Sequence, residues 1–212
     1  MEYNKKKLDI NIDDLPYKDV LTSRYSMTVR VGVEKTYDYS KKNNLSFFNL
    51  SLACILEGLN DIPEFKRRII DNEIYEFEKI NGITPILQKD NSIKELEIEP
   101  LSNYDSIKSW NDNIQKKKAN IDKYQYDLDF LLRDEEPIAN LSCIPWIDFD
   151  SMTNMIVSPN QIMPIISWGK LVNGRIPVSL TASHIFIFGY HFKLFYENIE
   201  KYFQDPELIL NK

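Results

Sequence analysis

The chain has 212 residues, a formal net charge of −6 at neutral pH, 43% hydrophobic and 27% charged residues. That length favours one core in a single domain over residues 1–212, and the composition is that of a folded globular protein. An acidic balance argues against a nucleic-acid binder, no apolar run is long enough to span a bilayer, and two histidines with two cysteines at no ligand spacing argue against a metal site.

Residues 1–13 are polar and charged and read as a flexible N-terminal segment without the apolar core of a signal peptide, so the expected compartment is the cytoplasm. From Ser26 to Tyr37, Met27, Val29, Val31 and Val33 alternate with Thr28, Arg30, Gly32 and Glu34, the period of two of a half-buried strand. Phe48, Leu52, Ile55, Leu56 and Leu59 then mark an amphipathic helix that Pro63 closes. The turn pairs Asp71-Asn72, Asn81-Gly82 and Asp90-Asn91 divide the stretch from Lys66 to Ile98 into a meander of short strands. Residues 105–129 carry Ile107, Trp110, Ile114 and Ile121 among polar side chains and read as one helix with a narrow apolar stripe. The run Lys116-Lys117-Lys118 on it reads as a solvated face. A strand through Ile138 to Ile147, two further strands and a closing helix from Gly189 complete the chain. Strands outnumber helices and few are joined as βαβ units, so the fold class is α+β, a large mixed, mostly antiparallel sheet with helices packed on it. Cys54 and Cys143 sit in apolar contexts and read as buried reduced thiols.

Both histidines lie between Ile176 and Tyr196. Ser179, Thr181 and Ser183 alternate there with Val178, Leu180 and Ala182, as in a strand with unlike faces, and His184 falls on the apolar side. Gly189 reads as the hinge to the helix, and His191 reads as a packing or surface residue. On the residues alone, a lone histidine on an apolar face is a satisfied core residue before it is a catalyst.

The run Ser183-His184-Ile185-Phe186-Ile187-Phe188-Gly189 resembles the His-His-x-x-x-Asp-Gly signature of the chloramphenicol acetyltransferase family, with His184 at the position of the second His. Asn60-Asp61-Ile62-Pro63-Glu64-Phe65-Lys66 resembles the family's Asn-x-x-Pro-Glu-Phe-Arg segment. Pro145-Trp146-Ile147-Asp148-Phe149-Asp150-Ser151 is similar to its Pro-Trp-x-x-Phe-x-Ser segment, and Pro164-Ile165-Ile166-Ser167-Trp168-Gly169-Lys170 to the strand that precedes the histidine. The resemblance implies acetyl transfer from acetyl-CoA, as co-substrate rather than a resident cofactor, to a hydroxyl of chloramphenicol or another small molecule. It makes His184 the general base and Ser151 the oxyanion donor, where Ser151 by itself reads as a strand-end serine. Ser167 and Lys170 become residues of the coenzyme side of the site. It also implies a homotrimer with active sites between subunits, the histidine of one facing an acceptor pocket on its neighbour.

The chain departs from the family at Ser183 for the first His, at Phe188 for the signature Asp, at Tyr17 for the Arg that pairs with that Asp, and at Leu171 for a Tyr that offers a stacking surface for adenine. A coupled exchange of Asp and Arg for a packed apolar pair is what a folded chain tolerates, because a buried charge left alone is costly. The same departure leaves open a family relative that binds a ligand or partner without turnover. A hydrolase is disfavoured by the lack of a Gly-x-Ser-x-Gly elbow.

Overall fold

Residues Arg175–Ser183 form a strand buried on both faces, one aliphatic and one lined with hydroxyls, and the other elements divide between those faces. The computed structural model describes residues 3–211. In chain order the strands are β1 (Lys5–Lys7), β2 (Arg24–Gly32), β3 (Arg67–Ile70), β4 (Glu73–Phe77), β5 (Asn81–Leu87), β6 (Ile93–Ile98), β7 (Gln125–Tyr126), β8 (Ile138–Cys143), β9 (Ile165–Trp168) and β10 (Arg175–Ser183). The helices are α1 (Glu34–Lys42), α2 (Phe47–Asn60), α3 (Ile107–Ala119), α4 (Ile121–Tyr124) and α5 (Gly189–Gln204). The large sheet runs β2-β10-β9-β8-β5-β6-β7; its β9–β8 and β8–β5 pairs are parallel and the rest antiparallel. A small antiparallel sheet, β1-β4-β3, takes up residues 5–7 of the N-terminal segment, while Met1 and Glu2 lie outside the described residues. The α+β class with a mostly antiparallel large sheet is the one expected.

Register decides which side chains share a face. Val178 stands beside Trp168 and Leu180 beside Ile166, and Leu141 lies next to Ile166 on β8. These share one core with Leu52, Ile55, Leu56 and Leu59 of α2 and with Phe195, Ile199 and Phe203 of α5. Helix α2 is buried from Asn49 to Asn60, on all sides rather than along one stripe, because α5 crosses it. The crossing is close enough at Gly58 that a Cβ there would collide with Ile199. On the opposite face Ser179 stands beside Ser167, and Ser167 beside Ser142. The segment between β8 and β9 folds back over that face, where the Ser179 hydroxyl donates to the Met152 carbonyl at 2.9 Å.

Several expectations are corrected. The strand expected from Ser26 to Tyr37 stops at Gly32, and Glu34 opens α1. The single helix over 105–129 is α3, then α4, β7 and a 3-10 turn at Leu128–Leu132. Asn120 ends α3 by returning both its N–H and its Nδ2 to the Lys116 carbonyl. The lysine run is not wholly solvated: Lys117 donates to the Glu97 carbonyl, and Lys118 lies 4.8 Å over the Phe48 ring, half-buried. Strand β8 ends at Cys143, not Ile147, and Cys143 is half-buried while Cys54 is fully enclosed.

One buried cation joins the two sheets. Arg68 on β3 is fully enclosed, and its guanidinium donates to the carbonyls of Phe65, Arg67, Glu136 and Ile138, the last at the start of β8. Removing it strands several buried carbonyls at once, each of which costs about 1–3 kcal/mol when unpaired. Arg68→Met is therefore expected to lower unfolding free energy by about 3 kcal/mol or more. Urea denaturation reads this directly, and a loss under about 1 kcal/mol would mean the carbonyls find other donors.

Candidate active site

Strand β10 ends at Ser183, one residue before His184, and Ser183 holds the turn that follows. Its hydroxyl sits 2.8 Å from that of Ser23 and accepts from the Ile185 N–H, while its carbonyl accepts from Ile187 at 3.0 Å. The His184 N–H donates to the Ser23 carbonyl at 2.7 Å. The backbone of His184 is thus fixed on both sides by two short hydroxyl residues.

The imidazole is half-buried among aromatic rings. Tyr17 stacks on it at 4.2 Å between centroids, Tyr25 lies at 4.7 Å, and Phe188 meets it edge-on at 5.0 Å. Nδ1 is enclosed and has no hydrogen-bond partner among the described residues. Tyr25 also donates from its hydroxyl to the Ile187 carbonyl at 3.1 Å; burial pushes its pKa up to about 12, so the phenol stays a donor. Phe188 and Tyr17, which by the resemblance stand where the family has its Asp and Arg pair, therefore meet at His184, each packing on its ring. Both are well exposed, 39% and 47%, so a charge at Phe188 would remain in contact with water.

Ser167 is 1% exposed and donates to Asn154 Oδ1 at 2.6 Å. Asn154 Nδ2 in turn donates to Thr181 Oγ1 at 2.8 Å, and Thr181 sits 2.6 Å from the Ser26 hydroxyl. This chain of polar groups crosses three strands and anchors the segment that carries Ser151. Ser151 itself is exposed, beside Asp148 and Asp150, which both pair with Arg30 at 2.6 and 2.8 Å. One chain does not bring Ser151 to His184. The neighbouring Met152 carbonyl is tied to Ser179, and Ser179 precedes His184 by five strand positions, ~17 Å at the usual rise.

Lys170 is exposed and its N–H donates to the Ile147 carbonyl. With Leu171 it borders an apolar cavity of about 590 Å³ floored by Phe47, Phe48 and Trp168. Two of the rings that line it carry a lysine, Lys118 over Phe48 and Lys41 5.0 Å over Tyr37. Burial lowers the pKa of Lys118 from its ordinary value.

Sequence reading missed Asn154, Tyr25 and Ser183 as site residues, and no local spacing singles them out. It also placed the hinge at Gly189. That residue is the first of α5, a Cβ there would touch nothing, and the turn itself is residues 184–188. His191 does more than pack, because its Nδ1 accepts the Phe188 N–H at 2.9 Å and so caps α5.

A seven-stranded mixed sheet with helices on one face, and a histidine at the end of its most buried strand, define an acyltransferase fold. A solved chloramphenicol acetyltransferase superposes with a TM-score of 0.76 at 24% identity, covering 93% of this chain and all of the other. A dihydrolipoamide acetyltransferase from Azotobacter vinelandii, studied for the role of a serine, a histidine and an asparagine in its catalytic mechanism, superposes with a TM-score of 0.65 at 14% identity, covering 89% and 84%. In sequence, a chloramphenicol acetyltransferase from Bacillus pumilus is 23% identical over 183 residues, 82% of this chain and 80% of that one. The family model described as chloramphenicol acetyltransferase matches residues 8–200, and the chain belongs to that family of acyltransferases.

Two measurements probe the geometry around His184. Tyr17 holds a positive φ of 58°, which costs a non-glycine residue about 1 kcal/mol, comparable with what its stacking returns. Tyr17→Gly removes both, so unfolding free energy should change by less than about 1 kcal/mol while the His184 ring protons move downfield on losing the shielding tyrosine face. Unmoved resonances would show that the stack is not formed in solution.

The second concerns His191, whose cap requires an unprotonated Nδ1. Burial lowers its pKa below the usual value, with Glu64 opposing and Arg67 adding to the shift. A folded pKa below the unfolded one means the cap's contribution is fully present above about pH 6.5 and is lost as pH falls through the folded value. His191→Ala is expected to cost about 1 kcal/mol at pH 8 and progressively less below pH 6. A cost independent of pH would assign the loss to packing.

Proposed function

We propose that the protein transfers an acetyl group from acetyl-CoA to a hydroxyl of chloramphenicol or a similar small molecule, with His184 as general base. The observation that carries this reading is the immobilised imidazole at the end of β10, enclosed at Nδ1 and braced by Tyr17 and Tyr25. His184 takes the proton of the acceptor hydroxyl as its oxygen attacks the thioester carbonyl. Ser151 donates a hydrogen bond to the developing oxyanion. Collapse expels the coenzyme thiolate, which recovers the proton from the imidazolium, so the imidazole ends as it began.

The coenzyme side is supported by the cavity bordered by Lys170, whose apolar floor, with Lys118 and Lys41 over two of its lining rings, suits a ligand that is apolar along one stretch and phosphorylated at another. Ser167 takes part from the strand beneath, through Asn154. Adenine stacking on residue 171 is weaker with Leu171 than with an aromatic ring. The separation of Ser151 from His184 within one chain supports a homotrimer whose sites form between subunits. So does the exposure of Leu21, Leu132, Trp146, Ile147 and Met155, because exposed apolar groups of that size mark an interaction surface. Among the described residues no helix is long and apolar enough to cross a membrane, and the proposed site of action is the cytoplasm, with resistance to chloramphenicol as the cellular outcome. A second reading, a relative that binds without turnover, is favoured by one observation: Phe188 closes an aromatic ring on His184 where the family signature has a carboxylate.

Thiol release from acetyl-CoA in the presence of chloramphenicol separates the two readings. His184→Ala is expected to reduce turnover by about 10²–10⁴ and Ser151→Ala by about 10²–10³ in kcat with little change in KM. Turnover that ignores His184→Ala would remove His184 from the role of base, and no thiol release with any acceptor leaves the binding reading. The shared site has its own test. Dissociating and reassembling a mixture of the two variants should restore activity at up to roughly a quarter of the sites, since some then combine an intact histidine with a neighbour's intact serine. A mixture no more active than its components, or a stable monomer by light scattering, would place both residues elsewhere.

A further inference from the structure

The hydroxyl-lined face of the large sheet carries a carboxyl group that nothing in the proposed reaction uses. Glu95 on β6 is 9% exposed, and its Oε2 is enclosed without a hydrogen-bond partner among the described residues. Burial alone, with no neighbouring charge contributing, pushes its pKa up to about 7. Glu97, two positions along on the same face, is different: Tyr3 donates to it at 3.2 Å and Asn81 at 2.8 Å. Tyr126, opposite Glu95 on β7, gives its hydroxyl to Glu136. The ionisable groups nearest along the sheet are thus occupied, and Glu95 is left over.

The register puts Glu95 on the same face as the proposed site. Ser179 stands beside Ser167 and Ser167 beside Ser142. The β5–β8 pairing runs as far as Ile83 beside Asn140; by strand alternation Ser142, two residues past Asn140, and Pro85, two residues past Ile83, keep to that same face, and Pro85 stands beside Glu95. Ser167, Ser142, Pro85 and Glu95 therefore lie on one face of the sheet, Ser167 beside Ser142 and Pro85 beside Glu95. From Ser167 to Glu95 is three strand spacings, ~14 Å, comparable with the length of a small elongated molecule. Ser167 and Glu95 are buried, whereas Ser142 and Pro85 between them are half-buried.

We propose that Glu95 is a specificity-determining residue of the acceptor site, selecting a hydroxyl compound that carries an ammonium group at the end remote from the reacting hydroxyl. This rests on the acyl-transfer reading for the place of the hydroxyl, at the Ser151 and Ser167 end of that face. An unpartnered carboxylate in an enclosed setting is compensated by a charge-assisted hydrogen bond from a ligand cation. A neutral acceptor on the same face leaves it uncompensated and binds less tightly.

The test uses a matched pair, chloramphenicol and its analogue with the aryl nitro group replaced by aminomethyl, whose altered end is remote from the primary hydroxyl. With wild type, Glu95→Gln and Glu95→Leu, two quantities are measured: kcat/KM from thiol release, and equilibrium affinity by calorimetry. Melting curves confirm that each variant is folded. Wild type is expected to favour the ammonium compound by about thirtyfold or more in both quantities, and the ratio should fall towards one in both variants. A wild-type ratio at or below one, or a preference that survives Glu95→Gln, overturns the proposal. If neither compound releases thiol, calorimetry still decides: a binding preference abolished by Glu95→Gln keeps the ammonium subsite while the acetyl-transfer reading fails. Equal affinity for the two compounds, or binding of neither, overturns the role of Glu95.

Discussion

The double burial of β10 is the constraint on which the rest of the structure depends. Val178, Leu180 and Ala182 need only apolar neighbours, and α2 and α5 supply them. Ser179, Thr181 and Ser183 are equally buried and need partners, because an enclosed hydroxyl left unpaired costs about 1–3 kcal/mol. The partners come from two distant parts of the chain, Met152 for Ser179 and Asn154 for Thr181 from the segment after β8, and Ser26 for Thr181 and Ser23 for Ser183 from in and beside β2. Satisfying one strand's hydroxyls thereby fixes the segment after β8, the edge strand β2, and the turn that presents His184. Aliphatic residues on that face would release all three.

Around His184 the structure replaces charge with aromatic contact. The family signature has a carboxylate four residues after the histidine; here Phe188 and Tyr17 hold the ring from an edge and from a face. Stacked or edge-on pairs contribute about 0.5–1.5 kcal/mol each and orient by shape rather than by a directed bond. The expectation that a carboxylate at position 188 would be a buried, uncompensated charge is not met, since Phe188 is 39% exposed in the chain. The order of the turn depends instead on Ser183, Ser23 and the Tyr25 hydroxyl. With the backbone held from the strand side, the signature residue can change without releasing the histidine.

Much of this was legible in the sequence, for reasons of distance along the chain. The β10 alternation, the α2 spacing and the α5 spacing are local, and each became the element expected. The runs around His184 and Ser151 lie in one segment each, so their resemblance to family motifs could be read directly. Arg68, Asn154 and Glu95 could not be read as they are in the fold, because each is defined by partners, or by a missing partner, on other strands. Asn154 becomes the link between Ser167 and Thr181 only when β9 and β10 are in register. The break at Asn120 was illegible for a different reason: the apolar stripe continues to Ile121, and what ends the helix is a polar side chain returning to its own backbone.

Glu95 and Thr181 show how differently one sheet face can treat buried polar groups. Thr181 lies in a chain of hydrogen bonds running through Asn154 to Ser167, and its burial is balanced. The Glu95 carboxyl has a folded pKa raised to about 7 by burial, so it binds a proton in the folded chain more tightly than in the unfolded one. Its effect on stability therefore worsens as pH rises from the ordinary carboxylate range towards neutrality, the reverse of a paired carboxylate. A leucine of similar size on β6 would remove that burden and pack against Pro85 without loss of the ladder, and stability alone would favour it. A carboxyl that works against its own fold at neutral pH, on the same sheet face as the proposed reacting groups, gains a physical reason to be there when something outside the chain completes it.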